Sequence, residues 1–199
     1  MNEIELKIQK SIVQLCKFLP DFVNKWKDLL NEGKKPIRGL LNLSEQLRHV
    51  ESVNKAHEED FFEMQQRILF SIYVGIEEEM EIIKKILDKL NKLNNDMKSK
   101  FSTIENASLS LDFDDETSIL IKGNALQPSL ILLLNLSLDF VVYFVSAWKN
   151  IQSTFKSLDV RNEKLMEKFE ESFDVDLENS AVHNLLAITQ YVDNDKGLS

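Results

Sequence analysis

Residues 59–105 read EDFFEMQQRILFSIYVGIEEEMEIIKKILDKLNKLNNDMKSKFSTIE, and this stretch decides the fold. Leu69, Ile72, Ile76, Met80, Ile83, Leu87, Leu90, Met97, Phe101 and Ile104 follow one another at steps of three or four, with one double step across Leu93 and Asn94. That spacing keeps a single apolar stripe on one side of an α-helix. No proline interrupts the span, and Gly75 is its only glycine. An uninterrupted helix of about 45 residues is roughly 70 Å long at 1.5 Å per residue. Helices several times the usual length serve as spines for packing or assembly.

Downstream, residues 106–127 lose the helical period. Leu109, Leu111 and Phe113 alternate, Ile119 to Ile121 form a short apolar run, and Gly123, Asn124 and Pro128 punctuate the end. The reading is a loop of about 20 residues with room for a short hairpin or extended pairing. Gln127-Pro128-Ser129 opens a second long helix, 128–158, with proline suited to its first turn and Ser129 or Gln127 to its cap. Residues 162–173 and 177–192 read as two further amphipathic pieces, and 193–199 as a disordered tail. Upstream, Ile4, Ile8, Ile12, Leu15 and Leu19 share a face. Pro20 predicts a kink or break there. The run Asn31 to Pro36 predicts a turn in which Gly33 takes a left-handed cap, and a helix from 36 to 54 follows. Together these segments predict an all-α, elongated helical bundle of about five to seven helices. The very long 59–105 helix packs against the 128–158 helix, within a single helical domain over 1–192.

Composition agrees with long helices. Among 199 residues there are 5 Gly and 3 Pro, too few for many short strands and turns. The formal net charge is −9, which repels phosphate backbones and disfavours direct nucleic-acid binding and anionic lipid. Cys16 is the lone cysteine, so no disulfide framework forms within the chain, and a reducing cytoplasm or nucleus is expected. The first residues alternate charged and apolar side chains and lack the core of a signal peptide.

Leu130–Trp148 is apolar and about long enough to span a bilayer. It also holds Asn135, Ser137, Asp139 and Ser146, and an Asp in mid-span costs about 2.5 to 3.5 kcal/mol on insertion scales. A helix buried on most sides at the centre of a bundle is the expected state.

Chemistry-bearing residues are sparse. The histidines are His49, His57 and His183, and neither a zinc set nor the Glu-x-x-His pairs of carboxylate bundles can be assembled from them. Asp112, Asp114, Asp115 and Glu116 cluster without the glycine an EF-hand loop requires. Glu77, Glu78, Glu79 and Glu81 form a solvated helix face. No phosphate-binding glycine loop and no nucleophile elbow occurs. Cys16 shares the apolar face of Ile12 and Leu15 and reads as core. No catalytic, cofactor-binding or metal residue is therefore expected. Tyr143, Phe144 and the other large aromatics default to core. Because aromatics also dominate binding hot spots, Trp26, Phe61, Phe62 and Trp148 are the candidates for a protein-binding surface.

The order of segments resembles a known family. Ile8-Gln9-Lys10-Ser11-Ile12-Val13-Gln14-Leu15-Cys16-Lys17-Phe18-Leu19-Pro20, then Trp26, then Leu40-Leu41-Asn42-Leu43-Ser44-Glu45-Gln46-Leu47 resemble the start of the AIRIM family of ribosome maturation factors, which bind AAA ATPases. That family carries a Cys-Phe-Pro element before a tryptophan-bearing helix and an Asn-Leu-Ala-Glu-Gln-Leu motif. Here two extra residues lie between Cys16 and Pro20, and Ser44 stands in place of Ala. Gln127-Pro128-Ser129 and Val182-His183-Asn184-Leu185-Leu186 are similar to later family features in the same order. The resemblance implies a small non-enzymatic adaptor, bridging an AAA ATPase to pre-ribosomal or chromatin clients beside a second helical subunit. It brings no catalytic residues.

Three classes of function therefore stand at this point. The first is the adaptor, with self-association left open. The second is a membrane-associated or trafficking protein, either a BAR-like coiled coil or one anchored through residues 130–148. The third, a metal-dependent bundle enzyme, needs stoichiometric metal, and none is expected.

Overall fold

A computed structural model of the chain describes residues 3–53, 59–115 and 118–192. These residues form six helices: α1 Glu3–Ser52, α2 Glu59–Ser108, α3 Ile119–Lys122, α4 Leu130–Lys156, α5 Glu163–Glu171 and α6 Ser180–Thr189. The fold is all-α, with no strand among the described residues. His57, Glu116 and the tail 193–199 lie outside the described residues, so the expectations for them end there.

α1 corrects the sequence reading. It runs unbroken through Pro20, where a kink or a break was expected, and through Gly33 and Pro36, where a turn and a fresh start were expected; the break and the turn do not occur. An interior proline costs about 3 kcal/mol, and each large apolar side chain buried nearby contributes about 1.5–3 kcal/mol. Leu15, Leu19 and Phe22 are buried around Pro20, and Leu29, Leu30, Ile37 and Leu40 around Gly33 and Pro36. The stripe keeps its period across all three positions, so burial outweighs local propensity. Gly33 is helical. Its missing side chain makes room for Phe173, whose ring Cε1 sits 2.8 Å from where a Cβ would stand. The left-handed backbone appears instead at Gly123 (φ 77°), where it closes the single turn of α3.

α2 keeps the predicted stripe. Ile72, Ile76, Ile83, Leu87, Leu90, Met97, Phe101 and Ile104 are buried. Asn94 fills the double step and is itself buried. α2 does pack on α4, as expected, but its most extensive partner is α1. Between α2 and α4 the expected loop holds α3 and an Asn124 turn, in which the Asn124 Oδ1 accepts the N–H groups of Leu126 (2.8 Å) and Gln127 (2.9 Å). Ser129 Oγ accepts from Leu132 N–H at the start of α4, at a long 3.4 Å. α5 and α6 begin at asparagine caps: Asn162 accepts from Leu165 N–H and Asn179 from Ala181 N–H.

The chain divides into two compact units. The first comprises Met1–Lys27, Asn91–Ser146 and Asp176–Ser199. Its core is aromatic. Phe22 meets Phe140 at 5.4 Å and the edge of Phe144 at 4.8 Å, and Trp26 lies 4.9 Å from Phe144 between ring centroids. The second comprises Asp28–Leu90 and Ala147–Val175. Ile37, Leu40, Leu47, Ile72, Ile76, Ile83 and Ile151 fill its interior, closed by the Phe155–Phe169–Phe173 row.

Candidate protein-binding surface

The four aromatic candidates part company. Trp26 has no exposed surface. Its indole N–H donates to Asn94 Oδ1 (3.2 Å), and the Asn94 amide donates in turn to the Phe144 carbonyl (3.2 Å). Trp26 is thus an anchor of the interior. Trp148 is half-buried, and its indole N–H donates to the Leu87 carbonyl at 3.0 Å. Phe62, in the first turns of α2, is 48% exposed. Phe61 belongs to the same turn, and its side chain lies outside the described set.

The reactive candidates are accounted for by packing and solvation. Burial pushes the Cys16 thiol up to about 12, so the thiolate that would act as nucleophile is suppressed at neutral pH. Cys16 and His183 line one open cavity of about 580 Å³ between α1 and α6, together with Pro20, Leu186 and Val192. Asp112 spends one carboxylate oxygen on the Asp114 N–H (3.1 Å), an Asx turn in an exposed loop. Among the described residues no three His, Cys, Asp or Glu side chains are grouped to hold a metal ion.

The surface feature the sequence did not disclose is on α4. This helix was expected to be buried on most sides, yet only 33% of its most apolar window is buried. One face (Leu130, Leu133, Phe140, Val141, Phe144, Ile151) enters the core. The opposite face carries Ile131, Leu138 and Val142, exposed by 50%, 47% and 55%. Half-buried Leu134 and Val145 complete a series with steps of three, four, four and three. That spacing draws a straight stripe of roughly 21 Å along the helix. Asp139 is the only charged residue between Lys122 and Lys149. It lines a shallow groove beside the stripe with Tyr143, Ser146, Ser180 and Asn184. Tyr143 fixes the floor by donating its hydroxyl to the Asp176 carbonyl (2.5 Å). Burial, and then the charge of Asp176, raise the Tyr143 pKa, so that hydroxyl stays a donor.

α2 exposes apolar side chains of its own in the second unit: Phe62, Met64, Ile68, Phe70 and Val74. They point to several sides of the helix, interleaved with the Glu63–Arg67 pair (3.3 Å) and with Glu77 and Glu78. Isolated exposed apolar groups among charges are ordinary on protein surfaces.

Comparison with known families places this geometry. The family model described as "Ribosome biogenesis protein C1orf109-like" matches residues 6–191. The chain belongs to the C1orf109-like family. Membership assigns it to ribosome biogenesis, as the AIRIM resemblance implied. The match runs from the first turn of α1 past the end of α6, so the aromatic core, the α2 stripe and the α4 face all lie within the family's span. No curated protein sequence matches the chain.

Proposed function

We propose that this C1orf109-like chain is a non-enzymatic adaptor in ribosome maturation, one that joins an AAA ATPase to its client beside a second helical subunit. The observation that carries this reading is the uncovered, almost uncharged face of α4 on a chain of a ribosome-biogenesis family. A solvated helix normally turns charge to water, and a contiguous apolar stripe left outside is the usual mark of a protein-binding site. The suppressed thiol of Cys16 supports a structural rather than a nucleophilic role for that residue. An acidic chain of net charge −9 meets pre-ribosomal particles through protein rather than RNA, in the cytoplasm or nucleus.

Purification of the tagged chain from its own cells, followed by a mass-spectrometric inventory, tests the proposal. An AAA ATPase in near-stoichiometric yield is expected, and its absence at low salt would end the adaptor reading. A second reading, membrane association, draws on α4, which is long and apolar enough to cross a bilayer by length and composition. Flotation with liposomes separates the two, because the adaptor stays in the soluble fraction.

A further inference from the structure

We propose that the outer face of α4 seats one amphipathic helix of a partner protein, whose apolar stripe covers Ile131, Leu134, Leu138, Val142 and Val145 and whose flanking lysine or arginine pairs with Asp139. This rests on the adaptor reading and adds the face and the chemistry of the partner. The spacing argues for a helix as occupant. Steps of three and four keep the five side chains in line for four turns, and the matching surface is another helix laid along that line at a shallow angle, read through anchors at i, i+3 or i+4 and i+7. Exposed Asn135 sits at the edge of the stripe. A polar group there rewards only a partner register that supplies a hydrogen-bond donor or acceptor opposite it.

Charge decides between occupants. Asp139 is exposed and lines the groove next to Val142, so its carboxylate flanks whatever covers the stripe. A second copy of this chain, laid antiparallel about Leu138, sets Ile131 against Val145 and Leu134 against Val142. The same two-fold axis brings both Asp139 carboxylates to one flank, in a pair of chains that each carry −9. A basic partner turns that repulsion into attraction. A bilayer fits worse, because Asp139 and Asn135 would enter lipid on the face that has to be apolar.

The full-length chain is tested by fluorescence anisotropy with two labelled 21-residue peptides. Each is a helix-forming sequence with leucine at heptad a and d positions, and the flanking positions are all lysine in one and all glutamate in the other. The lysine peptide is expected to bind, and the glutamate peptide at least about fivefold more weakly, a difference of the size exposed charge pairs supply when attraction is exchanged for repulsion. Leu138→Glu removes binding of the lysine peptide. Asp139→Lys, on the surface and harmless to the fold, reverses the preference. Circular dichroism confirms that both variants keep their helices. Equal binding of the two peptides, or binding that survives Leu138→Glu, overturns the proposal. So does a wild-type dimer in sedimentation that Leu138→Glu dissolves, because the face then belongs to a second copy. The two levels fail separately: if the AAA ATPase still co-purifies with wild-type chain while the peptides ignore α4, the adaptor stands and the assignment of this face falls.

Discussion

The two units pack the same long helices with different interiors. The first fills the space with rings: Phe18, Phe22, Phe140, Phe144 and Trp26 lie within 4.8 to 5.8 Å of one another in sequence of contact. The second uses branched aliphatic side chains and lets neighbours approach over glycine. Gly33 receives Phe173, Gly75 receives Leu43, and Gly39 receives Glu79. The polar links differ accordingly. An indole buried among rings must bring its N–H partner inside with it, and Asn94 is that partner. The second unit buries hydroxyl links instead, Ser44 donating to the Val160 carbonyl and Thr154 to Ser172 (3.0 Å), and sets a further polar clasp at its rim, where Arg161 grips Glu51 (2.8 Å) and Tyr73. The contrast predicts stability concentrated in a few large groups in the first unit and spread over many smaller ones in the second.

The sharpest way to break that contrast is to truncate both tryptophans. Trp26→Ala is expected to cost about 3–5 kcal/mol in urea unfolding, and half-buried Trp148→Ala clearly less. Equal losses would mean that the aromatic cluster is not the dominant support of its unit. Next comes the buried amide. Asn94→Leu keeps the volume but leaves the Trp26 N–H without its acceptor, a loss of about 1–3 kcal/mol. In the Trp26→Phe background, where that N–H no longer exists, the same change should cost much less, and strictly additive losses would show that the bond contributes nothing.

The sequence made some of this plain and hid the rest for physical reasons. The α2 stripe was legible because period alone fixes a face, and even its gap at Leu93–Asn94 was visible. What filled the gap was not, since Asn94 answers to Trp26, 68 residues away. Pro20, Gly33 and Pro36 signalled breaks because propensity is local. The burial that overrides it comes from residues such as Phe140 and Phe173, far along the chain. Trp26 looked like a surface candidate because the side chain that anchors a core also anchors an interface. The α4 face escaped notice because a helix apolar nearly all round gives no sign of which side stays outside. Cys16 was read correctly as core, its place set by the same stripe as Ile12 and Leu15.

Glycine substitutions sharpen the picture of the second unit at a smaller scale. Both Gly33 and Gly39 are helical, so alanine gains about 0.5–1 kcal/mol at either from reduced freedom of the unfolded chain and better helix propensity. At Gly39 the obstacle is the end of the flexible Glu79 side chain, which swings aside, and Gly39→Ala should raise the melting temperature. At Gly33 the obstacle is the ring of Phe173, 7% exposed and stacked edge-on against Phe169. Gly33→Ala should lower the melting temperature. If both variants shift the same way, close approach over glycine is not what sets the second unit apart.

The smallest effect belongs to the rim clasp. Hydrogen bonding from Arg161 is the largest influence on the Glu51 carboxyl and holds it below its ordinary 4.5; desolvation opposes it, and the Tyr73 hydroxyl and the Arg161 charge add to the lowering. A carboxyl whose pKa is depressed by folding stabilises the fold at pH values above its unfolded pKa. That contribution is lost as the pH falls through the folded value. Glu51→Gln should therefore melt slightly below wild type at pH 6, and the gap should close as the pH drops from about 5 to 3. Salt at 1 M should also narrow it, since both partners face solvent. Tyr73 works on the other limb: desolvation, then Glu51, raise its pKa above 10. Its contribution is present below pH 10 and lost as the pH rises through the raised value, where Tyr73→Phe should melt like wild type. A Glu51→Gln gap that persists unchanged at pH 3 would place the role of Glu51 in its packing rather than its charge, and the two units would then differ in their interiors alone.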